Sequence, residues 1–199
     1  MKITNILLSC AAFAALSATA SAALMTYTQT GFLSGSLDGT SFTNAAVTLR
    51  TTADTANVQY ILIEDIAPFW SNAGPTTIDI AGFETATFNG SNTFGVFSIN
   101  YSDFSPGTAA VGFADLTNLN GILGTFQTTE LNYALATAQT FTGAPAYANA
   151  LFSTTSGDLM VSSASGNATF TAALVPEPSA LALLGLGAVG LVARRRRTA

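Results

Sequence analysis

The sequence predicts an all-β protein: a single β-sandwich or jelly-roll-like domain, flanked by an N-terminal signal peptide and a short C-terminal transmembrane helix. Two observations predict this class. The body, residues 23–174, is rich in Thr, Ser, Gly, Asn and Phe and poor in the long charged side chains that favour exposed helices. Its short runs of β-forming residues are separated by residues typical of turns. A body of this length forms one domain and buries an adequate core without disulfides.

Nine runs in the body are predicted strands. In chain order they are Met25–Leu33, Ala46–Arg50, Asn57–Ile63, Thr76–Ile80, Phe83–Phe88, Phe94–Tyr101, Ile122–Thr128, Leu159–Ser162 and Ala168–Val175. Turns are predicted at Gly35, at Asp38-Gly39 and at Ser105-Pro106-Gly107, and Ala81-Gly82 is expected to join a hairpin. The absence of a fixed short repeat favours a sandwich over a β-helix.

One segment has a helical pattern. Residues 129–139 (TELNYALATAQ) combine good helix formers with Thr129, a residue type that caps helix N-termini. We therefore expect one helix in an otherwise β body.

The composition of the body excludes several classes of function. Arg50 is its one basic residue against ten carboxylates, a formal net charge of −9, so binding to nucleic acid is not expected. The body has no His and no Lys, and the one cysteine, Cys10, precedes it. Zinc and haem sites, Ser–His–Asp and Cys–His catalysis and Schiff-base chemistry therefore lack their side chains. We expect no cofactor and no catalytic activity.

Two kinds of carboxylate chemistry stay open. Glycoside hydrolysis needs two acids flanking one bond, and adjacent Glu64 and Asp65 on a strand would point to opposite faces. Asp79 and Glu84 are another pair that folding could bring together.

Calcium binding is the other alternative, because Ca²⁺ takes oxygen ligands. Four aspartates lie in or near predicted loops: Asp38, Asp54, Asp103 and Asp115. No D-x-D-x-D-G loop is present, so solvated turn carboxylates explain them more simply.

Trp70 is a candidate for sugar binding. It is predicted to lie in a loop, residues 67–72 (APFWSN), where an exposed aromatic ring could stack on a sugar. A Trp that packs against the core is the alternative interpretation.

The N-terminus has the pattern of a cleaved export signal at residues 1–22. Lys2 supplies a positive charge, residues 6–18 are mainly apolar, and Ala20-Ser21-Ala22 gives the small-x-small motif of signal peptidase. Recognition through Ala20 and Ala22 would leave Ala23 as the new N-terminus.

The C-terminal segment, residues 175–199, has three ordered parts. Pro176 and Pro178 flank Glu177, residues 179–193 are an apolar run, and four basic residues follow: Arg194, Arg195, Arg196 and Arg197. A helix of fifteen residues spans about 22 Å, which is short for a hydrocarbon core of about 30 Å. The positive-inside rule keeps the arginines cytoplasmic and places the body on the periplasmic side.

This tail resembles the PEP-CTERM sorting signal of Gram-negative bacteria, which combines a Pro-Glu-Pro motif, a short transmembrane helix and a basic cluster. The resemblance implies recognition by an exosortase in the inner membrane, removal of the tail, and transfer to the cell surface or extracellular matrix. It also implies a setting of exopolysaccharide and biofilm production. A plain tail anchor is the alternative, but it leaves the Pro-Glu-Pro motif unexplained.

Together these features predict an exported, exosortase-sorted protein of the cell surface or biofilm matrix with no catalytic activity of its own. Its expected partners are signal peptidase, exosortase and exopolysaccharide. A carbohydrate-binding or adhesive module is the second hypothesis, and a glycosidase that uses only carboxylates is the third.

Overall fold

A computed structural model describes residues 23–63, 66–90, 93–100, 109–118, 120–129 and 131–176. These residues form strands and one turn of 3₁₀ helix, Thr55–Asn57, and they contain no α-helix. The strands are β1 (Leu24–Leu37), β2 (Thr40–Asp54), β3 (Gln59–Ile63), β4 (Ile66–Ala73), β5 (Thr76–Ile80), β6 (Ala86–Thr87), β7 (Phe94–Asn100), β8 (Ala109–Asp115), β9 (Asn120–Gln127), β10 (Gln139–Gly143), β11 (Pro145–Ala146), β12 (Leu151–Thr154) and β13 (Gly157–Leu174). The prediction of an all-β class is confirmed.

The described strands form two antiparallel sheets. Sheet A has the order β10-β13-β1-β2-β5-β6, with β12 also paired to β13, and sheet B has the order β11-β9-β8-β7-β4-β3. Strands β7, β8 and β9 are neighbours both in sequence and in space, which makes a meander rather than the two Greek keys of a jelly roll. The fold is therefore an arrangement of two antiparallel sheets whose strand order differs from that of a jelly roll.

The hairpin of β1 and β2 is closed by the turn that the sequence predicts at Asp38-Gly39. Leu37 pairs with Thr40, so the loop has two residues, and both have positive φ, 48° at Asp38 and 75° at Gly39. Two-residue hairpin loops take this mirror-image turn because its twist matches that of the strands, and Asp-Gly is a preferred sequence for it. The predicted hairpin at Ala81-Gly82 also forms, since β5 pairs with β6.

Alternating side chains separate the two faces of sheet A. On β1, Met25, Tyr27 and Gln29 are buried, whereas the threonines between them point outward. A strand directs successive side chains to opposite faces, so this period of two fixes which residues enter the core. The core between the sheets contains large side chains of both: Tyr27, Leu49, Ile78, Phe152 and Phe170 from sheet A, and Phe94, Val96, Phe113 and Leu123 from sheet B.

Three buried hydrogen bonds connect sheet A to sheet B and to the irregular segment 131–138. The Tyr27 hydroxyl donates to the Leu135 carbonyl at 2.5 Å and accepts from Asn72 Nδ2 at 3.3 Å. Gln29 Nε2 donates to Thr125 Oγ1 of sheet B at 2.8 Å. Because buried polar groups are costly when unpaired, these contacts fix the relative position of the two sheets while pairing the Tyr27 hydroxyl and the amide nitrogens of Gln29 and Asn72.

The predicted helix at residues 129–139 is wrong. Residues 131–138 are irregular, and Gln139 begins β10 instead. Leu135 is fully buried with φ 56°, a left-handed conformation that no α-helix contains. Its carbonyl accepts the Tyr27 hydroxyl, and Tyr133 donates to the Thr137 carbonyl at 2.7 Å. Burial of Tyr133 and Leu135 against the core therefore overrides the local helix propensity.

Two strand predictions need correction. The separate strands predicted at Leu159–Ser162 and Ala168–Val175 form one strand, β13. This strand pairs antiparallel with β1, with register shifts near Phe32 and Gly35. Five strands were not predicted at all: β4, β8, β10, β11 and β12. The small residues of β8 give a weak β signal, although its described side chains are buried on both faces up to Ala114.

No helix among the described residues is long and apolar enough to span a membrane. The predicted signal peptide and the predicted transmembrane segment, residues 179–193, lie outside the described residues, and both stay predictions.

The buried tyrosines predict how stability depends on pH. Burial raises the pKa of Tyr27, partly offset by the hydrogen bond from Asn72, and burial together with the charge of Tyr27 raises the pKa of Tyr133. Unfolded tyrosine ionises near pH 10, so above about pH 10 the unfolded state binds fewer protons than the folded state. We expect the free energy of unfolding to be constant through neutral pH for these groups and to fall as pH rises beyond 10.

Tyr27→Phe tests both the hydrogen bond and the titration. At pH 7 the variant should lose about 1–2 kcal/mol, because the Leu135 carbonyl stays buried without its donor. Above pH 10 the difference from the wild type should narrow, since position 27 no longer titrates. Urea unfolding at pH 7 and at pH 10.5 measures both effects, with Tyr60→Phe, at an exposed position, as the control. A constant difference at both pH values would contradict this account.

Candidate functional site

The two ends of the folded body lie side by side. Met25 pairs with Leu174 at the start of β1 and the end of β13, and the Val175 amide donates to the Leu24 carbonyl at 2.8 Å. Ala23, the expected first residue after signal peptidase, donates its amide to Thr55 Oγ1 at 2.9 Å and accepts the Thr55 amide at 3.0 Å. The first and last residues of the body, which adjoin the predicted leader and the predicted tail, therefore lie at the same end of sheet A.

Among the described strands, only β1 pairs with the last residues of β13. Strand β10 pairs with β13 as far as Ala172, opposite Gln139, whereas Ala173 and Leu174 pair with β1 alone. Pro176 comes after Val175 and is exposed. Proline has no amide hydrogen to donate, so the ladder cannot continue through this residue.

The remaining predicted processing residues lie outside the described residues. These are Ala20 and Ala22 of the leader, Glu177 and Pro178 of the motif, and Arg194, Arg195, Arg196 and Arg197 of the basic cluster. Their roles stay predictions.

The outer face of sheet A carries a dense array of threonines, which we call the threonine face. Its members are registered across six strands, and all of them are exposed or half-buried: Thr26, Thr28, Thr30, Thr48, Thr52, Thr77, Thr87, Thr140, Thr142, Thr169 and Thr171. Neighbouring strands lie about 4.8 Å apart, and side chains two residues apart on a strand repeat at about 6.7 Å. The face therefore presents hydroxyl and methyl groups in a regular two-dimensional pattern.

Two pairs of threonines bond across strands within this face. Thr26 and Thr52 hydroxyls lie 3.1 Å apart, and Thr142 and Thr169 hydroxyls lie 3.0 Å apart. Each hydroxyl keeps further acceptor capacity, because it has one hydrogen and two lone pairs. The exposed Arg50 is registered opposite Thr28 and Thr77, so the one cation of the body lies within the array.

The described carboxylates are dispersed. Asp54 caps the 3₁₀ turn by accepting the Ala56 amide at 2.9 Å, and Asp115 accepts the Thr117 amide and Asn118 Nδ2, each at 2.9 Å. Asp38 lies in the β1–β2 turn, and Asp103 lies outside the described residues. In the part of the chain that the structure describes, no three Asp, Glu, His or Cys side chains come together as metal ligands would.

Of the candidate glycosidase pair, Asp79 lies on β5 and Glu84 lies in the loop that joins β5 to β6. Asp79 accepts a hydrogen bond from the Thr85 hydroxyl, and Glu84 is exposed in the connecting loop. Glu64 and Asp65 lie outside the described residues. The described partner of Asp79 is thus a threonine hydroxyl.

Trp70 lies on a strand, so the predicted loop position is wrong. It is half-buried on β4, packs against the core between the sheets, and its ring lies 5.4 Å from that of Tyr60 on β3. Tyr60 is 57% exposed and supplies the accessible aromatic surface here. Pairing with β3 on one side and β7 on the other places Phe69, Trp70 and Ser71 in a strand, where the sequence around Pro68 had predicted a loop.

A cavity of about 370 Å³ lies on the outer face of sheet B. Phe69, Phe97 and Ile99 form part of it, with Phe126 and the segment 145–148, and the Phe69 and Phe97 rings stack at 6.3 Å. Its lining is apolar except for Tyr147, so it favours apolar groups over charged ones.

Two features of the site were not inferred from the sequence. The two ends of the body meet because β1 pairs with β13, and these strands are more than 120 residues apart. No local sequence pattern predicts such a pairing. The threonine face has a visible signal in the alternation of Thr26, Thr28 and Thr30, but its breadth depends on strand order.

Comparison with known proteins identifies one part of the chain. Residues 174–197 match the family model of the PEP-CTERM protein-sorting motif. The chain matches no curated protein, and it matches no solved structure. The matched segment begins at Leu174, the last residue of β13, and includes Pro176–Pro178 and the four arginines.

Proposed function

From the premise that this chain carries a PEP-CTERM sorting motif, we propose that it is a non-catalytic structural protein of the cell surface or biofilm matrix. The motif implies that an exosortase is its processing partner and that its destination is extracellular. The leader pattern supports this route, because exosortase substrates must first be exported. The match at residues 174–197 is the observation that carries the proposal.

The position of the motif supports removal of the tail. The described sheet ends at Leu174, and exposed Pro176 lies outside the hydrogen-bonded ladder. A cut beyond this point leaves every described strand intact, so the mature body keeps its fold after it loses the membrane segment.

The absence of enzymatic activity is part of the proposal. The body has no His, Cys or Lys, and the described carboxylates Asp54, Asp79 and Asp115 hydrogen-bond to nearby residues. A role as a building unit or a binding surface uses what the chain does have, which is a large regular sheet surface and a negative net charge. That charge keeps the secreted protein soluble.

Replacing Pro176, Glu177 and Pro178 by alanine tests the sorting role. We expect the variant to accumulate in the inner membrane with its tail attached, because the exosortase no longer recognises the motif. Fractionation of cells, membrane and medium, followed by immunoblotting, measures this. Thr40, Ser41 and Thr43 replaced by alanine are the matched control, since all three are exposed on β2 far from the motif. Release of the motif variant at the rate of the control would refute the sorting role.

The threonine face supports a second candidate function, binding of an extended polysaccharide. Sugar rings present hydroxyl groups and apolar C–H faces, and each threonine offers a hydroxyl beside a methyl group. The negative body repels acidic polymers, so a neutral polysaccharide is the expected ligand.

The pair Thr28→Val and Thr30→Val tests this candidate. Valine keeps the β-branched shape and removes the hydroxyl, so binding to a neutral β-glucan should weaken about tenfold, as expected for the loss of two hydrogen bonds. Affinity electrophoresis in gels containing hydroxyethylcellulose measures the change. Thr128→Val with Thr129→Val is the control, because these exposed residues follow β9 in a loop. Absence of saturable binding by the wild type would eliminate this candidate and leave the structural role.

A further inference from the structure

We propose that the end of strand β13 controls removal of the tail, because Leu174 and Val175 are bound to β1 and also lie within the matched sorting signal. This inference rests on the proposed exosortase processing. The match to the sorting motif begins at Leu174, two residues before the Pro-Glu-Pro motif. The same two residues are bound to β1, through the pairing of Leu174 with Met25 and the Val175–Leu24 hydrogen bond. No spacer separates the body from the signal.

A protease binds its substrate as an extended chain whose backbone groups pair with the enzyme, as an added strand pairs with a sheet edge. Residues held in the ladder with β1 cannot enter the enzyme's binding cleft until the hydrogen bond from the Val175 amide to the Leu24 carbonyl opens. The exosortase and β1 therefore compete for the same stretch of backbone.

The structure also indicates which strand moves. The start of β1 is held on its other side by β2, where Leu24 pairs with Asp54 and Met25 with Ala53, and by the two bonds between Ala23 and Thr55. The end of β13 has β1 as its sole described strand neighbour beyond Ala172. Opening the ladder here breaks few contacts, so β13 peels away while β1 stays in place.

The order of events follows from this competition. The exported body folds, β13 closes against β1, and transient opening of residues 173–175 presents the signal to the enzyme. Leu24 acts as a positioning residue, since its carbonyl accepts the Val175 amide at the N-terminal side of the signal.

The pair Val175→Pro and Val175→Ala isolates the hydrogen bond. Both remove the valine side chain and leave Pro176–Pro178 unchanged, but the proline variant alone loses the amide that donates to Leu24. We expect tail removal to be about two- to tenfold faster in V175P than in V175A, the factor by which one backbone hydrogen bond shifts an equilibrium. Pulse–chase labelling of the full chain in cells that contain the exosortase measures the rate, and melting temperatures of the two released bodies verify folding.

A second variant changes no residue of the ladder. Insertion of Gly-Ser-Gly-Ser between Val175 and Pro176 gives the enzyme a free stretch to bind, so the tail should be removed faster than from the wild type. The same four residues inserted between Thr128 and Thr129, in an exposed loop, should leave the rate unchanged.

The outcomes separate the two proposals. Faster removal from V175P and from the spacer variant than from their controls supports control by the end of β13. Equal rates across all variants, with the tail removed, overturn this inference and leave the sorting role intact. Retention of the tail by the wild type contradicts the sorting role, and this inference with it.

Discussion

The long antiparallel pairing of β1 with β13 is the constraint on which the rest of the molecule depends. It joins the first and last strands of the body over almost their whole length, from Met25–Leu174 to Leu37–Leu159. The two ends of the body, which adjoin the predicted signal peptide and the matched sorting motif, consequently lie next to each other. The pairing also sets where the folded body stops and the sorting signal starts, and it makes those two parts overlap at Leu174.

The same alternation of side chains gives the two faces of sheet A different properties. Inward positions on β1 and β13 carry Tyr27, Leu33 and Phe170, and these build the core with sheet B. Many outward positions carry threonine, among them Thr28, Thr30 and Thr171, a residue with high strand propensity that also tolerates water. Because the body has almost no cations, its surface is not stabilised by networks of ion pairs. Strand pairing, apolar burial and a few buried hydrogen bonds stabilise it instead.

The sequence predicts the β class, the turn at Asp38-Gly39 and most strands, because these depend on local residue types and on a period of two. It fails where tertiary packing overrides local preference: residues 129–139 look helical, yet Tyr133 and Leu135 are buried against the core. It also fails for Trp70, whose strand is recognisable only from its neighbours β3 and β7. The sorting motif is predictable from the sequence alone, because its Pro-Glu-Pro motif, apolar run and arginine cluster occur in a fixed order. Its overlap with the sheet is visible only from the register of β1 and β13.

The intact mass of the native protein recovered from the growth medium tests the central claim most directly. If the C-terminal segment is a removable sorting signal, the mass will correspond to a chain that starts at Ala23 and has lost the apolar segment 179–193 with Arg194–Arg197. A single spectrum fixes both processed ends and reports any attached sugar as added mass. A released protein whose mass still includes Arg194–Arg197 would contradict the account.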